Sequence, residues 1–192
     1  MPTPHDIPPQ SSPFSIKHRA ARVAWSVVWK LLFRPSPTPL WGWRRMLLRL
    51  FGARIHPTCH VYESTRVWAP WNLTLGAYSG VGRHTDIYAV APITIGARTT
   101  ISQYTYLCGA GHDFTKPDYP LTPGAITIGD DCWLAADVYV GPGVNIGSGT
   151  VVGARSSVFN DLPPWSVAVG TPAKVIKPRV LDGRSPGAMP QG

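Results

Sequence analysis

The residues best suited to chemistry lie in one stretch that interrupts an otherwise repetitive sequence. Residues 108–125 read CGAGHDFTKPDYPLTPGA and contain His112 followed directly by Asp113. An imidazole exchanges a proton near neutral pH, so it can act as a general acid or base. A further carboxylate, Asp86, lies in the segment 84–88, HTDIY. The sequence therefore offers a histidine and two carboxylates for proton transfer, and the surrounding elements must position them.

Apolar residues recur at intervals of six from Ile55 onward. The series restarts twice, each time displaced by two, and a last uninterrupted series begins after residue 125. Its members are Ile55, Val61, Val67 and Leu73; Leu75, Val81, Ile87 and Ile93; Ile95, Ile101 and Leu107; and Ile128, Leu134, Val140, Ile146, Val152 and Val158. Neither a helix nor a single strand produces a period of six, whereas a triangular solenoid does. Chance spacing of ordinary strands does not explain six consecutive matches.

Each six-residue unit predicts one flat face and one corner of a parallel β-helix. The apolar residue points into the prism, a small residue such as Gly76 or Gly147 commonly follows it, and three units close a coil. Successive coils stack about 4.8 Å apart. The interruption at 108–125 is too long for a corner, so we expect it to project from the scaffold as a loop, where functional residues are common.

The net charge of +8 is concentrated near the N-terminus. Residues 1–55 contain nine Lys and Arg against one acid, Asp6, whereas nine basic and nine acidic residues balance in the rest of the chain. This distribution argues against a general nucleic-acid-binding surface. The three cysteines, Cys59, Cys108 and Cys132, lack the spacing of metal-binding pairs, which predicts reduced thiols in a cytoplasmic protein.

Two short helices are predicted before the solenoid, one from Ser15 to Phe33 and one from about Trp41 to Phe51. We expect a disordered segment at 1–13, a helical cap at 14–54, the β-helix domain at 55–177 and a flexible tail at 178–192. The apolar stretch 23–33 is too short to span a bilayer. The helices should shield the open end of the solenoid, and their basic, Trp-containing surface also favours contact with an anionic membrane.

The hexads, the loop with His112 and the ending 161–174, DLPPWSVAVGTPAK, resemble hexapeptide-repeat acetyltransferases over residues 14–180. The narrower resemblance is to O-acetyltransferases of the colanic acid biosynthesis type, relatives of maltose, galactoside and nodulation-factor acetyltransferases. Three stretches carry it: FRPSP at 33–37 with GWRR at 42–45, ISQYTYLC at 101–108 before GHD at 111–113, and GDDCW at 129–133. The resemblance implies an all-β fold, a left-handed parallel β-helix, and a homotrimer with each active site between two subunits.

The same resemblance implies roles for individual residues. His112 would be the base that takes a proton from an acceptor hydroxyl, which attacks the acetyl carbonyl of acetyl-CoA directly. Asp113 would orient the imidazole, and Asp86 would bind the sugar or support the base. The donor would lie along Trp133 and a row of small residues, with its phosphates near basic ones: Ala135, Ala136, Gly153 and Ala154, then Lys174 and Lys177, with Arg155 and Arg179 as further candidates.

The acceptor implied by the resemblance is a saccharide, including a lipid-linked intermediate of surface polysaccharide assembly handled at the inner face of the membrane. Two alternatives remain: a small non-saccharide hydroxyl compound as acceptor, or a non-catalytic solenoid that acts as a scaffold. We expect no metal. The β-helix carbonic anhydrases hold zinc with three histidines, but the position five residues after His112 is Pro117, so the spacing of this chain does not fit.

Overall fold

The computed structural model describes residues 13–181. Helix α1, Ile16–Val28, continues through a π-helical turn, Trp29–Phe33, and helix α2 spans Trp41–Leu50. Ser15 caps α1, because its hydroxyl accepts a hydrogen bond from the backbone N–H of His18 at 3.2 Å. Both helices lie where the sequence predicts them. The predicted disorder of 1–13 and the flexible tail 178–192 fall, except for residues 13 and 178–181, outside the described residues.

Short parallel strands form the three faces of a triangular solenoid with about six turns. Face A contains β1 Arg54–Ile55, β4 Leu73–Leu75, β7 Ile93–Ile95, β12 Ile126–Ile128 and β15 Asn145–Ile146. Face B contains β2 His60–Val61, β5 Gly80–Val81, β8 Thr100–Ile101, β13 Trp133–Leu134, β16 Val151–Val152, β18 Ser166–Gly170 and the antiparallel β19 Ala173–Pro178. Face C contains β3 Arg66–Val67, β6 Asp86–Tyr88, β9 Tyr106–Cys108, β14 Tyr139–Val140 and β17 Ser157–Val158. A separate antiparallel hairpin pairs β10 Ala110–His112 with β11 Leu121–Pro123. A single turn of 3-10 helix, Pro70–Asn72, precedes β4.

Every apolar residue of the predicted hexads is buried in the solenoid core, which confirms the prediction. Matching residues stack directly: Ile55 pairs with Leu75, and Leu75 pairs with Ile95. The two-residue displacements also have a cause. Strands β4 and β7 have three residues each, and the first and third residues of both strands are buried. The first buried residue ends one series of six-residue steps and the third begins the next, which displaces the series by two.

A row of hydroxyl and thiol groups links the coils at the corner between faces A and B. Each of the first four groups donates a hydrogen bond to the carbonyl that follows the face A strand of the next coil: Cys59 to Gly76, Ser79 to Gly96, Thr99 to Gly129 and Cys132 to Gly147. Thr150 donates to Pro163, which follows Leu162, a residue bridged to Ile146. Cys59, Cys108 and Cys132 are all buried and unpaired. Cys59 and Cys132 therefore occupy structural positions within this row.

The helices cap the open end of the solenoid through hydrogen bonds as well as apolar contacts. The carbonyls of the first coil point away from the second coil and would otherwise be an unpaired edge. Side chains of the cap satisfy them: Trp25 bonds to Val67, Trp29 to Thr65, Arg44 to Val61, Arg45 to Cys59 and Arg49 to Ile55. Three of the nine basic residues in 1–55 thus serve to terminate the β-helix. No helix within residues 13–181 is long and apolar enough to cross a bilayer.

Candidate active site

The segment 108–125 leaves the solenoid after β9 on face C and returns to it at β12 on face A. Strands β10 and β11 pair across it in the register Ala110 with Pro123 and His112 with Leu121. Its base is tied to the scaffold, because the N–H of Gly109 donates to the carbonyl of Tyr88 at 2.9 Å. The predicted loop is thus a hairpin anchored at one end, and His112 is the last residue of its first strand.

His112 is exposed, and one of its ring nitrogens is held by the backbone. The Nδ1 atom lies 2.6 Å from the carbonyl oxygen of Tyr119 in the turn of the hairpin. A carbonyl oxygen can only accept a hydrogen bond, so Nδ1 must carry the proton. In the neutral imidazole the lone pair is then on Nε2. Tyr119 could not be identified from the sequence, because its contribution comes from the main chain.

Asp113 is engaged within the same turn and has no hydrogen bond with the His112 ring among the described residues. Its Oδ1 accepts hydrogen bonds from the backbone N–H and the hydroxyl of Thr115, at 3.0 and 2.6 Å, and Lys116 lies 3.6 Å from Oδ2. The hydroxyl of Thr115 is the main reason that the pKa of Asp113 is lowered. Asp113 therefore stabilises the turn that presents the carbonyl of Tyr119.

Asp86 lies on the outer surface of face C, between Arg66 of β3 and Tyr106 of β9. Burial raises the pKa of Asp86, and the Arg66 guanidinium, 3.6 Å away, partly offsets this effect. Burial and a hydrogen bond with Cys108 raise the pKa of Tyr106 and that of Tyr139, the latter to about 12. Face C thus presents a partly buried carboxylate beside two phenols that stay protonated at neutral pH.

Trp133 and the predicted small residues form a row along one edge of face B. The Trp133 side chain is half exposed, and its Nε1 donates to the hydroxyl of Ser102 in the neighbouring coil at 3.0 Å. The small residues follow directly after β13 and β16, in adjacent coils, and each is at least partly exposed: Ala135, Ala136, Gly153 and Ala154. Trp133 and these small residues are thus brought together on the accessible surface of two adjacent coils.

The basic candidates divide into two groups. Lys174 and Lys177 lie exposed on β19, and neither forms an ion pair with another residue in the range 13–181. Arg179 instead donates hydrogen bonds to the carbonyls of Asp131 and Gly149, at 2.6 and 2.8 Å, and Arg155 lies 3.6 Å from Asp137. The two lysines are therefore free for an anionic ligand, whereas Arg179 holds the end of the chain against the solenoid.

Comparison with known proteins identifies the family. The repeat signature "Bacterial transferase hexapeptide (six repeats)" matches residues 125–160. The chain is 49% identical over 156 residues to the putative colanic acid biosynthesis acetyltransferase WcaF of Escherichia coli K12, which covers 81% of this chain and 86% of that relative.

Solved structures show the same fold. A maltose O-acetyltransferase from Clostridium difficile superposes with a TM-score of 0.79 at 24% identity, covering 87% of this chain and 90% of the other. A hexapeptide-repeat acetyltransferase from Vibrio cholerae, solved with acetyl-coenzyme A, superposes with a TM-score of 0.78 at 27% identity over 88% and 92% of the two chains. The solenoid is accordingly a left-handed parallel β-helix, and the chain belongs to the hexapeptide-repeat acetyltransferases of the colanic acid biosynthesis type.

Proposed function

We propose that this acetyltransferase moves an acetyl group from acetyl-CoA to a saccharide hydroxyl, with His112 as the general base. The observation that carries the proposal is the hydrogen bond from Nδ1 of His112 to the carbonyl of Tyr119. It fixes the tautomer in which Nε2 is unprotonated, on an exposed side chain at the edge of a hairpin.

The reaction is a direct transfer. Nε2 of His112 accepts the proton of the acceptor hydroxyl as its oxygen attacks the thioester carbonyl, so the C–O bond forms while the base becomes an imidazolium. The C–S bond then breaks, and the leaving thiolate takes the proton from Nε2. The carbonyl of Tyr119 keeps its hydrogen bond throughout and stabilises the transient positive charge. Asp113 acts as a positioning residue through the turn, and Asp86 contacts the acceptor from face C.

The donor lies along the edge of face B. Small residues Ala135, Ala136, Gly153 and Ala154 allow the pantetheine arm to approach the backbone, beside the exposed indole of Trp133. The unpaired Lys174 and Lys177 suit the phosphates of the donor. The Vibrio cholerae relative, which has the same fold and was solved with acetyl-coenzyme A, supports this choice of donor.

The proposed acceptor is a saccharide, as the descriptions of WcaF and of the maltose enzyme suggest. We further propose a cytoplasmic homotrimer with the active site between subunits, which works at the inner face of the membrane. Helix α1 and its π-helical turn support the membrane contact, because they expose an apolar stripe near the basic side chains of Lys17 and Arg19. The stripe consists of Ile16, Val23, Val27 and Leu31, which are 83%, 65%, 51% and 66% exposed.

The test measures thiol release from acetyl-CoA with a panel of saccharides. His112→Ala should lower kcat by about 10²- to 10⁴-fold, the usual contribution of a general base, with little change in the KM for acetyl-CoA. His56→Ala is the matched control, because this exposed histidine lies in the first coil and its side chain has hydrogen bonds only with Thr58 among residues 13–181.

Acceptor-dependent release that survives in His112→Ala would rule out the role of His112. If no saccharide supports release, titration with CoA distinguishes the remaining possibilities. Binding of CoA would indicate that the acceptor is missing from the panel, and absence of binding would favour the scaffold.

A further inference from the structure

A cavity of about 430 Å³ lies between helix α1 and the first coil, away from the hairpin. Its volume is in the range of small-molecule sites, which begins at roughly 300 Å³. Three cationic and three indole side chains line most of it: Arg22, Lys30 and Arg66, and Trp25, Trp29 and Trp68. None of the roles proposed above uses this cavity.

The charges around the cavity are unbalanced. Its lining includes no carboxylate, and Arg66 is paired with Asp86 only at 3.6 Å, through a side chain that is mostly exposed. Lys30 makes no ion pair with any residue between 13 and 181. The Nε of Arg22 is buried and has no hydrogen-bond partner among the described residues. The unbalanced positive charge of the lining favours an anionic ligand.

The walls of the cavity are held in place. The indole N–H groups of Trp25 and Trp29 are bonded to backbone carbonyls of the first coil at 2.7 and 2.8 Å. The guanidinium of Arg22 stacks over Trp68 at 3.9 Å from the ring centroid. Flat aromatic surfaces that present both an apolar face and fixed cations suit a ligand with a ring next to an anionic group.

Face C leads from the cavity toward the candidate active site. Arg66 pairs with Asp86 in the next coil, and Asp86 pairs with Tyr106, whose strand leads into the hairpin with His112. Two strand spacings separate Arg66 from Tyr106, or roughly 10 Å. A saccharide whose anionic end lies in the cavity can therefore extend along face C toward the base of the hairpin.

We propose that this cavity binds the phosphate or diphosphate of a phosphorylated saccharide, and that this compound is the acceptor. The proposal rests on the saccharide acetyltransferase function given above and specifies its substrate class. Arg22 and Lys30 bind the phosphate oxygens, and Arg66 joins them at the mouth while it keeps its contact with Asp86.

The first experiment measures binding without turnover. The full-length protein is titrated calorimetrically with pyrophosphate, with glucose 1-phosphate and with glucose, in the presence of saturating CoA. We expect the two anions to bind and glucose to bind much more weakly. Arg22→Gln and Lys30→Gln should each weaken anion binding about tenfold or more, because each removes a charged hydrogen bond. Arg54→Gln, an exposed arginine on face A, is the matched control and should bind like the wild type.

The outcomes separate the two proposals. Absence of anion binding, binding that CoA abolishes, or equal affinities in all variants would overturn the phosphate site. Retained pyrophosphate binding in His112→Ala would show that the cavity works independently of the base. If the protein binds pyrophosphate as expected but neither binds CoA nor releases thiol with any acceptor, the phosphate site stands and the proposed function fails. Lys30→Gln keeps the proposal testable if Arg22→Gln fails to fold. Lys30 is exposed, whereas the guanidinium of Arg22 stacks over Trp68, so replacing Lys30 should disturb the fold less.

Kinetics then test the substrate and its source. Thiol release is measured with UDP-glucose and with a polyprenyl diphosphate-linked glucose in phosphatidylcholine vesicles. Arg22→Gln should raise the KM for the phosphorylated acceptor about tenfold, with the KM for acetyl-CoA unchanged. A lower wild-type KM for the vesicle-borne acceptor would identify a lipid-linked source, and the reverse would identify a soluble nucleotide sugar. A raised KM for acetyl-CoA would overturn the proposal, because it would assign the cavity to the donor.

Discussion

At Gly76, the corner that follows face A leaves no room for a side chain. A Cβ atom added there would lie 2.5 Å from the backbone nitrogen of Ala97 in the next coil and 2.6 Å from the carbonyl carbon of Gly96. Ordinary contacts begin near 3.4 Å. Because both neighbours are main-chain atoms, neither can move aside without displacing the coil.

The expected cost of Gly76→Ala follows from these distances. The two coils would have to separate locally by about 0.9 Å, which weakens the hydrogen bonds on either side of the corner. These are the bonds from Gly76 to the carbonyl of Ile95 at 2.8 Å and from Arg98 to the carbonyl of Ala77 at 2.7 Å. Overpacking and two weakened bonds together predict a loss of about 2–3 kcal/mol in the free energy of unfolding.

The matched control is Gly80→Ala in β5. A Cβ atom at Gly80 meets nothing within 4 Å, so this substitution should be neutral or slightly stabilising. The assay is urea unfolding of both variants at one protomer concentration, because an oligomer changes its apparent stability with concentration. Equal midpoints for Gly76→Ala and Gly80→Ala would refute the argument that backbone contact at this corner requires glycine.

Two further predictions concern other charged residues. Arg44→Met should lower the free energy of unfolding by about 3 kcal/mol, because Arg44 is fully buried and bonded to the carbonyls of Val61 and Pro37; an unchanged urea midpoint would contradict this. For Asp86, the raised pKa means that wild-type stability falls as the pH rises from about 4 through that pKa. The free energy of unfolding of Asp86→Asn, relative to that of the wild type, should therefore rise between pH 4 and 7. The rise should be less than about 1 kcal/mol, because the carboxylate is partly exposed. A relative stability that falls over this pH range would disprove the prediction.

The sequence predicts the solenoid well because one physical requirement repeats in every coil. An inward-pointing residue must be apolar, and every hexad contains one such residue at the same position. The buried positions can therefore be assigned one by one. The small residues that follow them are less uniform. After the face A strands they are His56 in the first coil and glycines such as Gly76 and Gly147 in the later ones, whereas the corresponding positions after face C include Trp68 and Tyr88 on the outer surface. Only the register between coils distinguishes these corners.

The site is less predictable because its decisive contacts are made by the main chain. The position of His112 in the interruption is visible in the sequence, but its partner is the carbonyl of Tyr119, which any residue in that turn could supply. Adjacency suggests Asp113 as the partner, yet its carboxylate is occupied by Thr115 and Lys116. The cavity beneath α1 is also invisible in the sequence, since Arg22 and Arg66 meet only after the helix docks on the first coil.

The basic residues near the N-terminus serve two different purposes in the two helices. Arg44, Arg45 and Arg49 donate hydrogen bonds to carbonyls of the first coil, so these three residues serve to cap the solenoid. No external ligand is needed to account for their charge. Lys17 and Arg19 remain exposed near the apolar stripe of α1. Capping therefore accounts for the positive charge of α2 but not for that of α1, whose capping bonds come from Trp25 and Trp29. Only the positive charge of α1 therefore calls for an anionic partner outside the chain. The apolar stripe proposed to contact the membrane lies on α1, and the cavity proposed to bind phosphate lies beside it.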